Sequence, residues 1–273
     1  MPELPEVETV RRGLNKLIQG KTISTVQVFY PPMIRTGVEN FIDSLKGLTV
    51  EKVGRRGKYL LFYLGDGLLI SHLRMEGKFL LEDKMREPKK HQHLFFEFTD
   101  GSLLVYEDVR KFGTMEWMKA EEEESYFQKK KLGPEPQLPD FDLAVFKDQV
   151  LRMKGPIKSS LLNQKLVVGL GNIYVDEVLF RAGIHPLRTG ESLSDSDISR
   201  LHEQVIKVLE LAVSLGGSTI RTYRNAFGED GTMQAHHLVY AKTGQACPNC
   251  GREIEKIKVG GRGTHFCPQC QKL

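Results

Sequence analysis

The sequence predicts an α+β chain in three parts: a strand-rich first region led by a helix, a helical middle, and a small cysteine-bearing end. Three observations carry this. Asp-Gly turns sit between β-rich runs up to about residue 118, apolar residues recur at helical spacing in the second half, and all four cysteines lie after residue 246.

The opening segment PEVETVRRGLNKLIQG places Val7, Val10, Leu14, Leu17 and Ile18 at helical spacing. Pro5 suits the first turn, Glu6 and Glu8 suit the positive end of the helix dipole, and Gly20 suits the stop. A helix so near the terminus holds the first residues in a defined place. Strand signals follow. LTVEKVGRRGKYLLFYL and LLISHL flank Gly65-Asp66-Gly67, and HLFFEF and SLLVYEDV flank Asp100-Gly101. Asp-Gly between β-rich runs is a strong hairpin signal, and hairpins in series predict an antiparallel sandwich or barrel.

Glutamates at 121–124, then Lys129–Lys131 and GPEP, read as a solvated linker, which puts a domain boundary between residues 120 and 140. Beyond it, SLLNQKLVVGLGNIYVDEVLFRAGI reads as two helical stretches broken at Gly169-Leu170-Gly171-Asn172. In SLSDSDISRLHEQVIKVLELAVSLGG, Ile198, Leu201, Val205, Val208, Leu209 and Ala212 share one face, with Ser194 as N-cap and Gly216-Gly217 as the stop. The expected domains are 1–130, 131–240 and 241–273.

Composition narrows the class. A hydrophobic fraction of 40% and a charged fraction of 27% are those of a soluble globular chain. No apolar run approaches the ~18 residues of a membrane span. No basic segment followed by an apolar stretch opens the chain, so a cytosolic location is expected. The net charge of +4 is too mild to identify a partner. From Lys242 to Leu273, however, there are six Lys/Arg against two Glu, so this tail supplies the excess. A basic end suits phosphate, and a solvated surface would look alike.

The cysteines are spaced C-x2-C-x16-C-x2-C. Two such knuckles can close a tetrahedral four-thiolate site for one structural zinc, whose binding would supply the folding energy that so short a segment lacks. Two disulfides or a redox pair are the alternatives, and the missing signal disfavours an oxidising compartment. Between the knuckles, Arg262 in Gly260-Gly261-Arg262-Gly263 suits either a bidentate phosphate contact or an ordinary surface position.

Eight stretches together resemble the bacterial formamidopyrimidine-DNA glycosylases: MPELPEVETVRRGL, GRRGKYL, SHLRMEGKF, DVRKFGT, LGPEP, VVGLGNIYVDEVLFRAGIHP, GGSTIRTY and the cysteine unit ending GRGTHFCPQC. They follow the family's order from residue 1 to residue 270. The resemblance implies an N-terminal antiparallel β-sandwich with a leading helix, a helix–two-turn–helix domain and a C-terminal zinc finger. It also implies a bifunctional glycosylase and abasic-site lyase acting, as a monomer, on duplex DNA that contains an oxidised purine. PELPE rather than PEGPE favours this branch over the endonuclease VIII-like one, which prefers oxidised pyrimidines. Loss of Pro2 or Glu3 would mark a non-catalytic zinc-ribbon binder, and both are present.

Carried onto this chain, the resemblance makes Pro2 the nucleophile once Met1 is removed, Glu3 the general acid/base and Glu6 its support. It places Lys58 and Arg262 with the catalytic and phosphate-binding groups, joined by His72, Asn172 and Tyr240. Met75, Arg110 and Phe112 would fill the space left by the extruded nucleotide; without the resemblance, core packing would be the default for Met75 and Phe112. Glu76, Ser218, Arg221, Thr222 and Tyr223 would read the lesion. Glu8 is read as complementing the helix dipole only.

Overall fold

The computed structural model describes residues 1–84, 86–218 and 231–273. The chain divides into two compact units. One is Met1–Lys130 with the described part of Gly216–Gly231, and the other is Lys131–Leu215 with Thr232–Leu273.

The first unit opens with α1 (Leu4–Ile18). Val7, Val10, Leu14 and Ile18 are all buried along one stripe, so apolar burial fixes the helix that carries the amino terminus. Two four-stranded antiparallel sheets follow. The first has the order β1 (Ile23–Val28), β6 (Gln92–Phe98), β7 (Leu103–Glu107), β5 (Lys78–Glu82); the second has β2 (Val50–Arg56), β3 (Tyr59–Leu64), β4 (Gly67–His72), β8 (Thr114–Lys119). Val26, Phe96 and Leu104 of one sheet meet Phe62 and Leu69 of the other in a single core. Val10 and Leu14 of α1, and Phe41 and Leu45 of α2 (Val38–Leu45), complete it. The sandwich expectation holds.

Two local expectations change. LTVEKVGRRGKYLLFYL is not one strand: it folds back at Gly57-Lys58, where Arg56 pairs with Tyr59, so Lys58 lies in a hairpin turn. The acidic-then-basic segment is not a linker but a short 3-10 turn leading into α3 (Glu123–Lys130). Glutamates at its start and lysines at its end match the helix dipole. Phe127 is buried against the Tyr59 ring, and the Tyr126 and Tyr63 hydroxyls donate to Glu116 and Glu123.

The second unit packs α4 (Leu143–Leu151), α5 (Ile157–Leu162), α6 (Asn172–Ala182) and α7 (Asp195–Ser214). α5 is only six residues long, and residues 163–171 are irregular rather than helical. Gly169 sits there at φ 99, outside any helical conformation. Ser194 caps α7 by accepting from the Asp197 amide at 3.1 Å, while Asp197 accepts from the Ser194 amide at 3.0 Å. Val175, Val178 and Leu179 of α6 meet Leu201, Val205 and Val208 of α7 in the core. The hairpin of β9 (Glu255–Val259) and β10 (Arg262–Phe266) shares this unit, because Phe180 of α6 packs with Val239, Ile254, Cys247 and Cys267.

Candidate active site and nucleic-acid interface

In the first unit, α1 begins one residue after Glu3, and Pro2, Glu3 and Glu6 are all buried. The Glu6 carboxylate accepts from the Glu3 amide at 2.8 Å and from the Ser218 amide at 2.7 Å. Gly217 makes that approach possible. Its φ is +78, and an added Cβ would lie 2.7 Å from Glu6 Oε1. Burial pushes the α-amino group of Met1 below its ordinary value, opposed by the charges of Glu3 and Glu6 and aided by that of Lys58; Glu76 also acts on it. The structure therefore gathers Pro2, Glu3, Glu6, Lys58, Glu76 and Ser218 around the amino terminus. Arg221, Thr222 and Tyr223 lie outside the described residues.

The turn that carries Lys58 is tied down by a residue that sequence reasoning missed. Arg55 donates to the Gly57 carbonyl at 2.9 Å and to Glu8 Oε2 at 3.1 Å. Glu8 also receives Arg11 and Arg12. Burial would raise its carboxyl, but the Arg11 and Arg12 hydrogen bonds and the Arg55 charge hold it below the usual range. Glu8 is thus more than a dipole complement: it links α1 to the Lys58 turn.

His72 ends β4 and is buried, with its ring edge-on to Tyr59 at 4.6 Å. Its Nδ1 accepts from the Arg74 amide at 3.0 Å, which leaves Nε2 as the N–H. Burial, reinforced by the charges of Arg74, Lys58 and Lys130, lowers its pKa to about 3. His72 can therefore offer a phosphate a neutral donor but no charge.

Met75 and Phe112 are 36% and 51% exposed, so neither is a core residue. Met75 lies in the loop between β4 and β5, and Arg110 and Phe112 lie in the loop between β7 and β8. The Arg110 guanidinium stacks on the Phe112 ring, 4.8 Å from its centroid.

In the second unit, buried charges organise the remaining residues. Lys158, fully buried, donates to Asp176 Oδ1 at 2.7 Å, to Thr264 Oγ1 at 2.8 Å and to the Gly263 carbonyl at 3.3 Å. Asp176 Oδ2 takes the His265 amide at 2.9 Å, and Asn172 Nδ2 donates to the Gly263 carbonyl at 3.0 Å. The exposed Arg262 therefore opens β10 beside the anchored Gly263. Asn172 Oδ1 is buried without a partner among the described residues. Glu177 accepts the amides of Leu238, Val239 and Tyr240 at 2.9–3.0 Å, and the Tyr240 ring meets His265 edge-on. Sequence reasoning missed Lys158, Asp176 and Glu177. The available signal was a pair of acids inside an otherwise apolar helix, which demands buried partners.

The four cysteine sulfurs lie within 4.8 Å of one another, at 3.9 Å for Cys247–Cys270 and 3.5 Å for Cys250–Cys267. Disulfide sulfurs would be about 2.05 Å apart, so the cysteines are free. Thiolates about 2.3 Å from a tetrahedral zinc sit about 3.8 Å from each other. Cys247, Cys250, Cys267 and Cys270 thus fit one structural zinc. Its four positions would all be taken by protein sulfur, leaving none for a substrate.

Comparison with known proteins agrees. The formamidopyrimidine-DNA glycosylase N-terminal domain matches residues 1–115, the formamidopyrimidine-DNA glycosylase H2TH domain matches 132–224, and the zinc finger found in FPG and IleRS matches 244–273. Formamidopyrimidine-DNA glycosylases of Streptococcus pneumoniae and Streptococcus thermophilus are 60% and 56% identical over 272 residues, covering all of this chain and 99–100% of theirs. A crystal structure of a Lactococcus lactis FPG variant with Fapy-dG-containing DNA superimposes at a TM-score of 0.96, with 50% identity and full coverage of both chains. The wild-type Lactococcus lactis protein bound to N7-benzyl-Fapy-dG DNA gives 0.95. The chain belongs to the formamidopyrimidine-DNA glycosylase family.

Two outcomes follow from this geometry. The unfolded chain binds a proton at a histidine below about pH 6.5, whereas His72 stays neutral down to about 3. Stability therefore falls as pH drops through that window, because the unfolded state binds more protons there. His72→Asn keeps an acceptor for the Arg74 amide and removes the titration. Its thermal midpoint should drop less than the parent's between about pH 7 and about pH 4.5, and an equal drop contradicts the assignment. Separately, chelating the zinc should expose all four thiols to a thiol reagent and melt the β9–β10 hairpin, as followed by circular dichroism. A hairpin that persists with four reactive thiols contradicts a metal-dependent finger.

Proposed function

We propose that the chain excises oxidised purines, 8-oxoguanine and formamidopyrimidines, from duplex DNA and then cuts the strand, with its amino-terminal proline as nucleophile. The observation that carries this is the convergence of the buried Glu3, Glu6 and Lys58 on the amino terminus, next to a buried Pro2. Names of relatives at 54–60% identity support the reaction class. The reading gives the Met1–Lys130 unit the chemistry, the helical segment DNA positioning and the finger a phosphate contact through Arg262. Among the described residues no helix is long and apolar enough to cross a membrane. A monomer acting in the cytosol is part of the proposal.

While Met1 is attached, the Pro2 nitrogen is an amide whose lone pair is delocalised into the carbonyl. Removal of Met1 leaves a secondary amine, more basic than an amide yet less protonated near neutrality than a lysine. Its lone pair attacks C1′ of the damaged nucleotide, the C1′–N bond breaks, and the proton lost from the attacking amine leaves with the base. Glu3, beside the amine, protonates the sugar ring oxygen as the C1′–O4′ bond opens, giving an iminium. The cation acidifies C2′. Loss of a C2′ proton expels the 3′ phosphate, and a second elimination expels the 5′ phosphate.

Extruding the nucleotide costs roughly a few kcal/mol, and the exposed Met75, Arg110 and Phe112 are suited to fill the gap. Lys58, His72, Asn172, Tyr240 and Arg262 suit phosphate oxygens, which position a duplex without reading its sequence. Glu76 and Ser218, with Arg221, Thr222 and Tyr223, are assigned to the lesion.

Borohydride trapping tests the reaction. On a duplex with one 8-oxoguanine opposite cytosine, the parent chain should give a covalent adduct that maps to the N-terminal peptide. Pro2→Gly should weaken trapping, and Glu3→Gln should lower base release about 100-fold or more. No adduct from zinc-loaded chain proven to begin at Pro2 contradicts the proposal. A Lactococcus lactis relative has been crystallised with an oxidised-pyrimidine DNA, so adducts only on oxidised pyrimidines would move this chain to that substrate class.

A further inference from the structure

The two loops that carry Met75, Arg110 and Phe112 leave different strands, yet one buried tyrosine lies at the base of both. Tyr106, on β7, is fully buried, with its ring 5.0 Å from that of Phe79. Its hydroxyl has no hydrogen-bond partner among the described residues. A Cβ added at Gly77 would lie 2.1 Å from that oxygen, and one added at Gly113 would lie 1.8 Å from it. Neither glycine has a positive φ, so close approach, rather than backbone conformation, requires glycine at both places. Gly77 closes the Met75 loop by donating to the Leu73 carbonyl at 3.0 Å. Gly113 closes the other loop.

Two residues further along the chain, Asp108 is also fully buried. Its Oδ1 accepts from the Arg110 amide at 3.0 Å and its Oδ2 from the Gly113 amide at 2.8 Å. Its carbonyl meets His93 Nε2 at 2.8 Å, and its amide donates to the His91 carbonyl at 2.9 Å. One side chain thus fixes both ends of the segment from Arg110 to Gly113, inside which Lys111 takes a left-handed φ of 57. On the other loop Arg74 takes a φ of 55. Such conformations persist in non-glycine residues only when surrounding contacts over-determine them.

We propose that Tyr106 and Asp108 are positioning residues that lock the two loops into one frame, so that Met75, Arg110 and Phe112 enter the DNA stack together. This rests on the reading of those three residues as the gap-filling group. A buried hydroxyl without a partner is costly relative to an apolar group of the same shape. What it supplies here is a rigid spacer: its oxygen fills the space that two missing Cβ atoms leave, and so sets the distance between the loop bases. Asp108 then sets the direction in which Arg110 and Phe112 leave β7.

The test compares two substrates. Single-turnover base release from a duplex with one 8-oxoguanine needs the gap filled, whereas cleavage of a pre-formed abasic site in single-stranded DNA has no stack to fill. Asp108→Asn and Gly113→Ala should lower duplex release about 10- to 100-fold, the scale of a misplacement near 1 Å, with single-strand cleavage within about twofold of the parent. Tyr106→Phe, added to Gly113→Ala, should recover part of the loss, a non-additive coupling that marks direct contact. Arg110→Ala and Phe112→Ala provide the reference. Equal losses on both substrates overturn the inference, since the residues would then only hold the fold. Slow reference variants beside normal Asp108→Asn and Gly113→Ala overturn it while sparing the gap-filling reading. Normal reference variants remove that reading and the inference with it.

Discussion

A single carboxylate sets the geometry on which the proposed chemistry depends. Glu6 sits in the first turn of α1, buried, and binds the backbone amide of Glu3 on one side and that of Ser218 on the other. The first contact stops the terminus from fraying, as chain ends otherwise do. The second ties it to a segment more than two hundred residues away in sequence. Because α1 is itself held by Val7, Val10, Leu14 and Ile18, the position of the amino terminus is inherited from the apolar core. A reacting amine placed this way has its orientation settled before substrate arrives.

The same device recurs through the molecule: charge that is buried or half-buried fixes backbone at the base of each loop to which the proposal assigns a role. Glu8 and Arg55 hold the Lys58 turn, Asp108 holds the Arg110–Phe112 loop, Glu177 gathers three successive amides leading to Tyr240, and Lys158 with Asp176 anchors the hairpin next to Arg262. Buried ion pairs contribute little net stability because desolvation offsets their attraction. Their value here is directional. Removing one partner leaves an uncompensated charge, so each loop has one satisfactory arrangement.

Most of the architecture was legible because its signals are local. The apolar stripe of α1, the Asp-Gly turns, the Ser194 cap and the CxxC pairs each state their structure within a few residues. The Lys58 turn and α3 were misread for physical reasons. Gly57, at φ 55, supplies the left-handed residue a two-residue hairpin needs, but Gly-Lys among basic residues is a weaker signal than Asp-Gly. A charged run gives no hint of docking until Phe127 is seen against Tyr59. At the amino terminus the residue types were readable, but their supports were not. Nothing adjacent to Glu6 announces Ser218, and nothing adjacent to Tyr106 announces Gly77. Contacts of such sequence separation exist only once the sheets have paired.

The most direct test of this account is the rate of borohydride-dependent cross-linking of Glu6→Gln to a pre-formed abasic site, a substrate that isolates amine attack from base release. A glutamine side chain has one carbonyl oxygen, and its amide group would face one of the two backbone N–H donors instead of accepting from it. Cross-linking should slow about 10- to 100-fold while zinc content is retained. A Glu6→Gln chain that cross-links at the parent rate would show that the amino terminus finds its position without that carboxylate, and the central claim would fail.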